Sequence, residues 1–371
     1  MKTKLLFAFL FALCILLPAV SSAQIIGGGK WHSVSVCSNS TARSWGLNHV
    51  GQLGMGSYVY GPFPTPGQVI SVTGIIAVAA EGDNCLFLKN DSTVWGCGYN
   101  GWGDIGDGTT IDRHSPVHVT SLSGITKVDC GLFLSLFLKN DSTVWACGKN
   151  AYGTLGNGTY DSSPHPTPSQ VLLTSVIAIA GGGEHSLFVK NDSTVWACGD
   201  NVFGELGIGT SDNNPHYIPV QVNSLTGIIA VESGWSHNLY LKNDGTVWAC
   251  GGNSAGELGD GTTTGRTSPV QVNSLTGIIA MACGDSHSLF LKNDSTVWVC
   301  GLNNWGQLGD GTTTNKHTPV QLTSLTGIIG IAAGSSHSLF LKNDGTLWAC
   351  GRNAEGQLGN GTSDAFAHPT P

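Results

Sequence analysis

Gly334-Ser335-Ser336-His337-Ser338-Leu339-Phe340-Leu341-Lys342-Asn343-Asp344-Gly345-Thr346-Leu347-Trp348-Ala349-Cys350-Gly351 is the stretch that decides the fold. Close copies end at Gly98, Gly148, Gly199, Gly251 and Gly301, and a worn copy ends at Gly46. The seven copies are spaced by 50 to 52 residues, the mark of an array of one small structural unit. Ser338–Lys342 and Thr346–Cys350 each alternate in a period of two, which reads as two strands. Asn343-Asp344-Gly345, or Asn-Asp-Ser in other copies, is hairpin-turn chemistry. A three-residue loop sets Phe340 opposite Trp348 and Ser338 opposite Cys350; a two-residue turn is the alternative. The first register also pairs Phe87 with Trp95, Phe137 with Trp145, Phe188 with Trp196, Tyr240 with Trp248 and Phe290 with Trp298. Facing aromatic pairs stabilise a hairpin, so their recurrence supports this register.

Outward from the hairpin, Ile328-Ile329-Gly330-Ile331-Ala332-Ala333 is a short β-branched run and reads as a strand before it. Pro319-Val320-Gln321-Leu322 reads as a further strand at the edge, where proline is tolerated. Each unit is then a four-stranded meander with apolar residues on both faces, and both faces need cover. Seven four-stranded antiparallel blades around an axis meet that need, so the fold class is an all-β, seven-bladed propeller. Pro371 comes where a seventh Val-Gln-Val strand is due, and Gln24-Ile25-Ile26 begins without one. The expectation is one incomplete blade of three strands with an exposed edge.

Composition narrows the class. Charged residues make up 11% of the chain, glycines number 53 of 371 and the net charge is −8. The four arginines (Arg43, Arg113, Arg266, Arg352) are scattered, which argues against a nucleic-acid partner. Lys2 and Lys4 precede an apolar run from Leu5 to Val20 and then Ser21-Ser22-Ala23. Residues 1–23 read as a secretory signal peptide cleaved before Gln24, leaving 24–371 as the propeller in an extracellular or periplasmic compartment with no membrane span. An uncleaved anchor is the alternative. Six of the ten remaining cysteines (Cys97, Cys147, Cys198, Cys250, Cys300, Cys350) occupy one repeat column. Facing sheets lie about 10 Å apart, too far for a disulfide, so these six read as buried small hydrophobes. Cys85 stands opposite Cys97 in the three-residue register and makes this pair the disulfide candidate.

Ile331 to Leu341, together with Ile179 to Val189 and Met281 to Leu291, resembles the signature of the regulator of chromosome condensation repeat family. Gly-x-Asn-x-x-Gly-Gln-Leu-Gly at Gly301–Gly309 and Gly351–Gly359 resembles that family's second signature. The resemblance covers residues 24–371 and implies a seven-bladed propeller. The family's founding member is similar in repeat pattern and acts as a guanine-nucleotide exchange factor; a secreted bacterial member inhibits beta-lactamases by protein contact. The signal sequence favours the second kind. Three departures stand out: Glu81 replaces the motif glycine, Asn84 and Leu134 replace the motif histidine, and cysteine replaces the family's tryptophan before Gly-x-Asn everywhere but at Trp45.

No catalytic constellation emerges. His32, His185, His237, His287 and His337 recur in identical settings and read as structural. Asn343–Trp348 resembles in part the aspartate box of sialidases, with Asp and Gly wrongly spaced. Gly259–Thr263 and Gly309–Thr313 match no calcium loop and read as turns. Asn90, Asn140, Asn191 and Asn293 fit glycosylation sequons. The reading is therefore a monomeric, non-enzymatic binding module with no cofactor and no metal, recognising a protein partner. A glycan-binding or surface-adhesion role is the alternative, and an exchange factor comes third. Strand order puts the Gly-x-x-His corners and the long Gly-Gln-Leu-Gly loops on one face. The corners carry Trp31, Leu132, Phe133 and Trp235, and the long loops carry Trp102, Tyr152, Phe203 and Trp305. These eight are the candidate binding residues; Trp31, Phe133 and Trp235 are expected exposed near the channel mouth.

Overall fold

The computed structural model describes residues 25–371. The signal-peptide segment lies outside the described residues. The chain forms seven four-stranded antiparallel sheets, each a meander in sequence order. The first blade is Ile26–Gly28, His32–Val36, Ala42–Asn48 and Val59–Gln68; the last is Ile328–Ala333, His337–Lys342, Leu347–Asn353 and Asp364–His368. Among the described residues no helix is long and apolar enough to cross a membrane.

The hairpin register is the three-residue one. Phe340 faces Trp348 and Ser338 faces Cys350, and the same pairing holds for Phe87–Trp95, Phe137–Trp145, Phe188–Trp196, Tyr240–Trp248 and Phe290–Trp298. The third loop residue needs a left-handed backbone, which glycine adopts without strain. Gly245 and Gly345 hold that place in two blades, and Ser92, Ser142, Ser193 and Ser295 adopt it at φ of 62–63°. The aspartate before it, Asp91 for example, accepts from both the amide and the hydroxyl of Thr93.

The expected three-stranded blade is corrected: all seven blades have four strands. Three residues suffice for the inner strand of blade 1, because Ile26 to Gly28 pair with Ser33 to Ser35. The outer strand of blade 7 pairs with Gly351, Arg352 and Asn353 and not with the residues before them. In blade 6 the outer strand reaches down to Trp298. The lower part of the third strand in blade 7 is thus an open edge among the described residues, and Trp348 is 41% exposed there.

Adjacent blades are joined by an apolar cluster and by a repeated polar bridge. The clusters centre on buried aromatics such as Phe137, Phe188, Tyr240 and Phe290. The seam between blades 7 and 1 has the smallest buried set: Ile26, Trp45, Ala332 and Leu339. In the polar bridge, a motif histidine Nε2 reaches the residue after the next blade's motif position. His337 meets Ser33 at 2.8 Å, His237 meets Ser288 at 3.0 Å and His287 meets Ser338 at 3.0 Å. Each serine hydroxyl donates onward to a long-loop carbonyl, as Ser338 does to Gln307 O, and so accepts from the imidazole. Burial holds these histidines uncharged: the pKa of His337 falls to about 3 and that of His185 to about 4.

The same carbonyls explain the cysteine column. Cys97, Cys147, Cys198, Cys250, Cys300 and Cys350 each point a thiol at the long-loop carbonyl of the preceding blade, at 3.4–3.6 Å. In blade 1 the indole Nε1 of Trp45 donates to the matching carbonyl, Gln357 O, at 2.8 Å. Thiol and indole are alternative donors to one acceptor, which is why the column takes either residue.

Candidate functional site

Each long loop is folded by one buried asparagine. Asn48, Asn100, Asn150, Asn201, Asn253, Asn303 and Asn353 accept, through Oδ1, the amide five residues on, at 3.0–3.2 Å. The corners on the same face are tied around the ring by backbone hydrogen bonds: Lys30 N to Gly82 O, Leu132 N to Gly182 O, and Trp235 N to Asp285 O. The motif glycine sits where the next blade's backbone passes; a Cβ on Gly234 would meet Gly284 O, and one on Gly284 would meet Gly334 O. A Cβ there would strike that carbonyl, and in blade 2, where Glu81 takes the motif place, Gly82 makes the approach instead, to Leu132 O.

The first residues of five corners reach the axis together with Glu81. Lys30, Glu81, Leu132, Gly183, Trp235 and Asp285 line a cavity of about 140 Å³ at the mouth of the central channel. Trp235 is 56% exposed. Its ring lies over Gly183, where a Cβ would strike the indole. Below the mouth the inner strands enclose a chamber of about 150 Å³ that receives Glu81, Lys127, Asp129, Glu232, Ser233 and Cys283. The Asp129 carboxylate accepts the Gly181 amide at 2.8 Å, and burial lifts its pKa to about 7. Burial raises Glu81 well above the ordinary range, reinforced by the charges of Asp129, Asp285 and Glu232. Burial also raises Glu232, with Asp129 adding to it and Lys127 opposing. Asp285 is raised by burial, against the Ser335 hydroxyl that donates to it at 2.8 Å and the charge of Lys30.

The eight candidate residues divide. Leu132 and Trp235 line the mouth. Trp31 and Phe133 face outward and are half-buried rather than freely exposed, because cations cover them. Lys30 Nζ lies 4.5 Å from the Trp31 ring centre, and Arg352 sits between Trp31 at 5.8 Å and Trp305 at 5.4 Å. Lys149 stands over Phe133, Trp102 and Tyr152 at 5.4, 5.8 and 5.9 Å, and pairs with Glu184. These aromatics are therefore two packed cation–π groups on the loop face. Phe203, 54% exposed, joins neither group.

Cys85 does face Cys97, as the register requires. No disulfide joins them, and both thiols are free. Each already has a partner across a blade seam: Cys85 Sγ meets His32 Nε2 at 3.0 Å, and Cys97 Sγ meets Gln52 O at 3.6 Å. Among the described residues, no group of three or more His, Cys, Asp or Glu side chains is arranged to hold a metal ion. Ser233 Oγ lies 2.8 Å from His185 Nε2, yet that nitrogen also meets Asn238 Oδ1 at 2.7 Å. An amide oxygen accepts only, so Nε2 carries the proton and cannot act as a base toward Ser233.

Lys30, Glu81, Gly183 and Asp285 were missed as mouth residues. Glu81 had left a signal, the sole acid in a glycine column, but it read as wear in the motif. Asp285 and Lys30 stood in the variable corner without an apolar surface to mark them.

Seven blades, closed through repeated polar bridges and open at one loop-lined mouth, define a repeat β-propeller. The chain belongs to the RCC1-like family: residues 14–281 match the RCC1-like domain, and residues 294–341 and 344–371 match the regulator of chromosome condensation (RCC1) repeat. The ultraviolet-B receptor UVR8 of Arabidopsis thaliana is 28% identical over 244 residues, covering 65% of this chain and 56% of that protein. Probable E3 ubiquitin-protein ligase HERC6 of Homo sapiens is 32% identical over 242 residues, 64% of this chain and 19% of that protein. The chain thus spans about half or less of these relatives, both of them eukaryotic. Among solved structures, human WBSCR16 superposes with a TM-score of 0.76 at 22% identity, covering 86% of each chain. Yeast RCC1 (Prp20) bound to Kap60 superposes at 0.78 and 21% identity, covering 88% of this chain and 82% of that one. At such identities the likeness is one of fold.

Proposed function

We propose that this propeller is a secreted binding module that captures a protein partner through its loop face, with Trp235 and Leu132 as the apolar anchors. The observation that carries the reading is Trp235, a large aromatic 56% exposed on a rigid backbone ring at the channel mouth. Exposed tryptophans on rigid surfaces are the usual anchors of protein interfaces, and binding at a propeller rim needs no catalytic group. Similar propellers support it: yeast RCC1 is described in complex with Kap60, and Prp20p with binding to Gsp1p and histones. Secretion is proposed from Lys2, Lys4 and the apolar run that follows. Trp235→Ala is expected to weaken capture of the partner by about 2 kcal/mol or more while leaving the fold intact. Unchanged capture by a folded Trp235→Ala protein would refute the anchor.

Glu81, Asp129 and Glu232 favour a second reading, hydrolysis inside the chamber, because convergent carboxylates are what such chemistry needs. Turnover of a glycoside or ester that is abolished by Glu232→Gln would establish it, and turnover by neither protein would remove it.

A further inference from the structure

We propose that the channel mouth is a socket for a single cationic side chain, a lysine ammonium or arginine guanidinium presented by the partner, gripped between the Trp235 face and the Glu81 and Asp285 carboxylates. This rests on the loop-face reading and adds the chemistry of what enters. The mouth cavity of about 140 Å³ has an aromatic wall at Trp235, an aliphatic wall at Leu132 and acids at Glu81 and Asp285. That volume takes several water-sized groups, the size of one side-chain head. Aromatic face plus carboxylate is the set that recognises a compact cation.

The charge balance leaves little room for other occupants. Four carboxyl groups, Glu81, Asp129, Glu232 and Asp285, lie around the mouth and chamber against two lysines, Lys30 and Lys127. Among the described residues neither lysine forms an ion pair within 4.0 Å, and Lys30 is turned over the Trp31 ring at 4.5 Å. Among the described residues, neither Glu81 nor Glu232 receives a hydrogen bond from a side chain or loop amide. An anion would add to the like charge that already opposes ionisation of Glu81. An apolar group would seal off carboxylates without partners, which is costly. An ammonium or guanidinium supplies donors and opposite charge together.

The sequence supports the same assignment. Every other blade has glycine where Glu81 stands: Gly29, Gly131, Gly182, Gly234, Gly284 and Gly334. Packing therefore asks for no side chain there, and burial with three like charges works against ionising one. A carboxylate in that place is stabilised when a cation arrives.

The test is an NMR titration of the full chain, following the indole N–H signal that vanishes in Trp235→Phe. The probes are N-acetyl-arginine amide and N-acetyl-lysine amide, with N-acetyl-norleucine amide and N-acetyl-glutamine amide as neutral controls. The expected result is a saturable shift with the two cations alone, weakened tenfold or more by Glu81→Gln and by Asp285→Asn. Both variants keep the shape of the side chain and an acceptor oxygen, so the fold holds, which the rest of the spectrum checks. An equal shift with norleucine amide, no shift with either cation, or unchanged affinity in both variants would overturn the socket. Cation binding alongside undiminished partner capture by Trp235→Ala would leave the socket and sink the loop-face reading. The opposite pair of results would do the reverse.

Discussion

Replacing Asp104 should reveal how a single buried carboxylate loads the long loop of blade 2. Five blades have Gln52, Glu205, Glu257, Gln307 or Gln357 at this position, each accepting the amide two residues earlier at 2.7–3.1 Å. Asp104 is one methylene shorter, 1% exposed, and neither carboxylate oxygen has a partner. Burial first, then the charge of Asp112, lifts its pKa from 3.8 to about 8. A pKa raised on folding means stability that is fully present below pH 3.8 and lost as pH rises through 8. The slope is about 1.4 kcal/mol per pH unit, a ceiling near 6 kcal/mol over that window. Local relaxation and water entry bring the working figure to about 2–3 kcal/mol. Asp104→Asn removes the titration; Asp104→Gln also restores the loop hydrogen bond, worth about 1 kcal/mol. Urea unfolding midpoints measured over roughly pH 4 to 8.5 should coincide for the wild type and Asp104→Asn at the acid end, with Asp104→Gln ahead there by its hydrogen bond. The variants should then pull ahead as pH rises, Gln furthest. A gap of constant size at every pH, or a wild type that is the most stable protein at the alkaline end, would refute the reasoning.

Three further outcomes are expected. Ser193→Gly should stabilise the protein by up to about 1 kcal/mol in thermal unfolding, because the residue is held at φ 62° where Gly245 and Gly345 sit without strain. Trp45→Phe removes the donor to Gln357 O at the smallest seam, costs about 1 kcal/mol or more, and should raise hydrogen exchange first in blades 1 and 7. Iodoacetamide applied to the folded protein should label half-exposed Cys37 first, while Cys198, Cys300 and Cys350, whose thiols burial pushes far up, react only on unfolding; early labelling of the column by mass spectrometry would contradict the seam description.

The blade was legible because its signal is repeated. Phe340 opposite Trp348 favoured the three-residue loop over a two-residue turn in the sequence, and the same kind of aromatic pair in six hairpins supported it. Closure was not legible for the opposite reason: Asp364–His368 lacks the Val-Gln-Val pattern, since a strand that covers only Gly351–Asn353 need bury little. The disulfide expectation placed Cys85 and Cys97 correctly and misjudged their chemistry, because the competing partners His32 and Gln52 come from another blade. The site was half legible. Trp235 and Leu132 announced themselves as large apolar groups in a corner that asks for none. Trp31 and Phe133 looked alike in sequence, but Lys30, Arg352 and Lys149, distant in the chain, cover them. The chamber carboxylates could not be gathered from sequence at all, as Glu81, Asp129 and Glu232 stand on three different blades.

Photo-crosslinking tests the claim that the loop face binds a partner more directly than any other measurement. Benzoylphenylalanine would be placed at Trp235, at the channel mouth, and in a second protein at Ser193, in a hairpin turn on the opposite face. The account predicts a covalent adduct of one defined mass from position 235, competed by N-acetyl-arginine amide, and none from position 193. Adducts from position 193 alone, or equally from both faces, would contradict it.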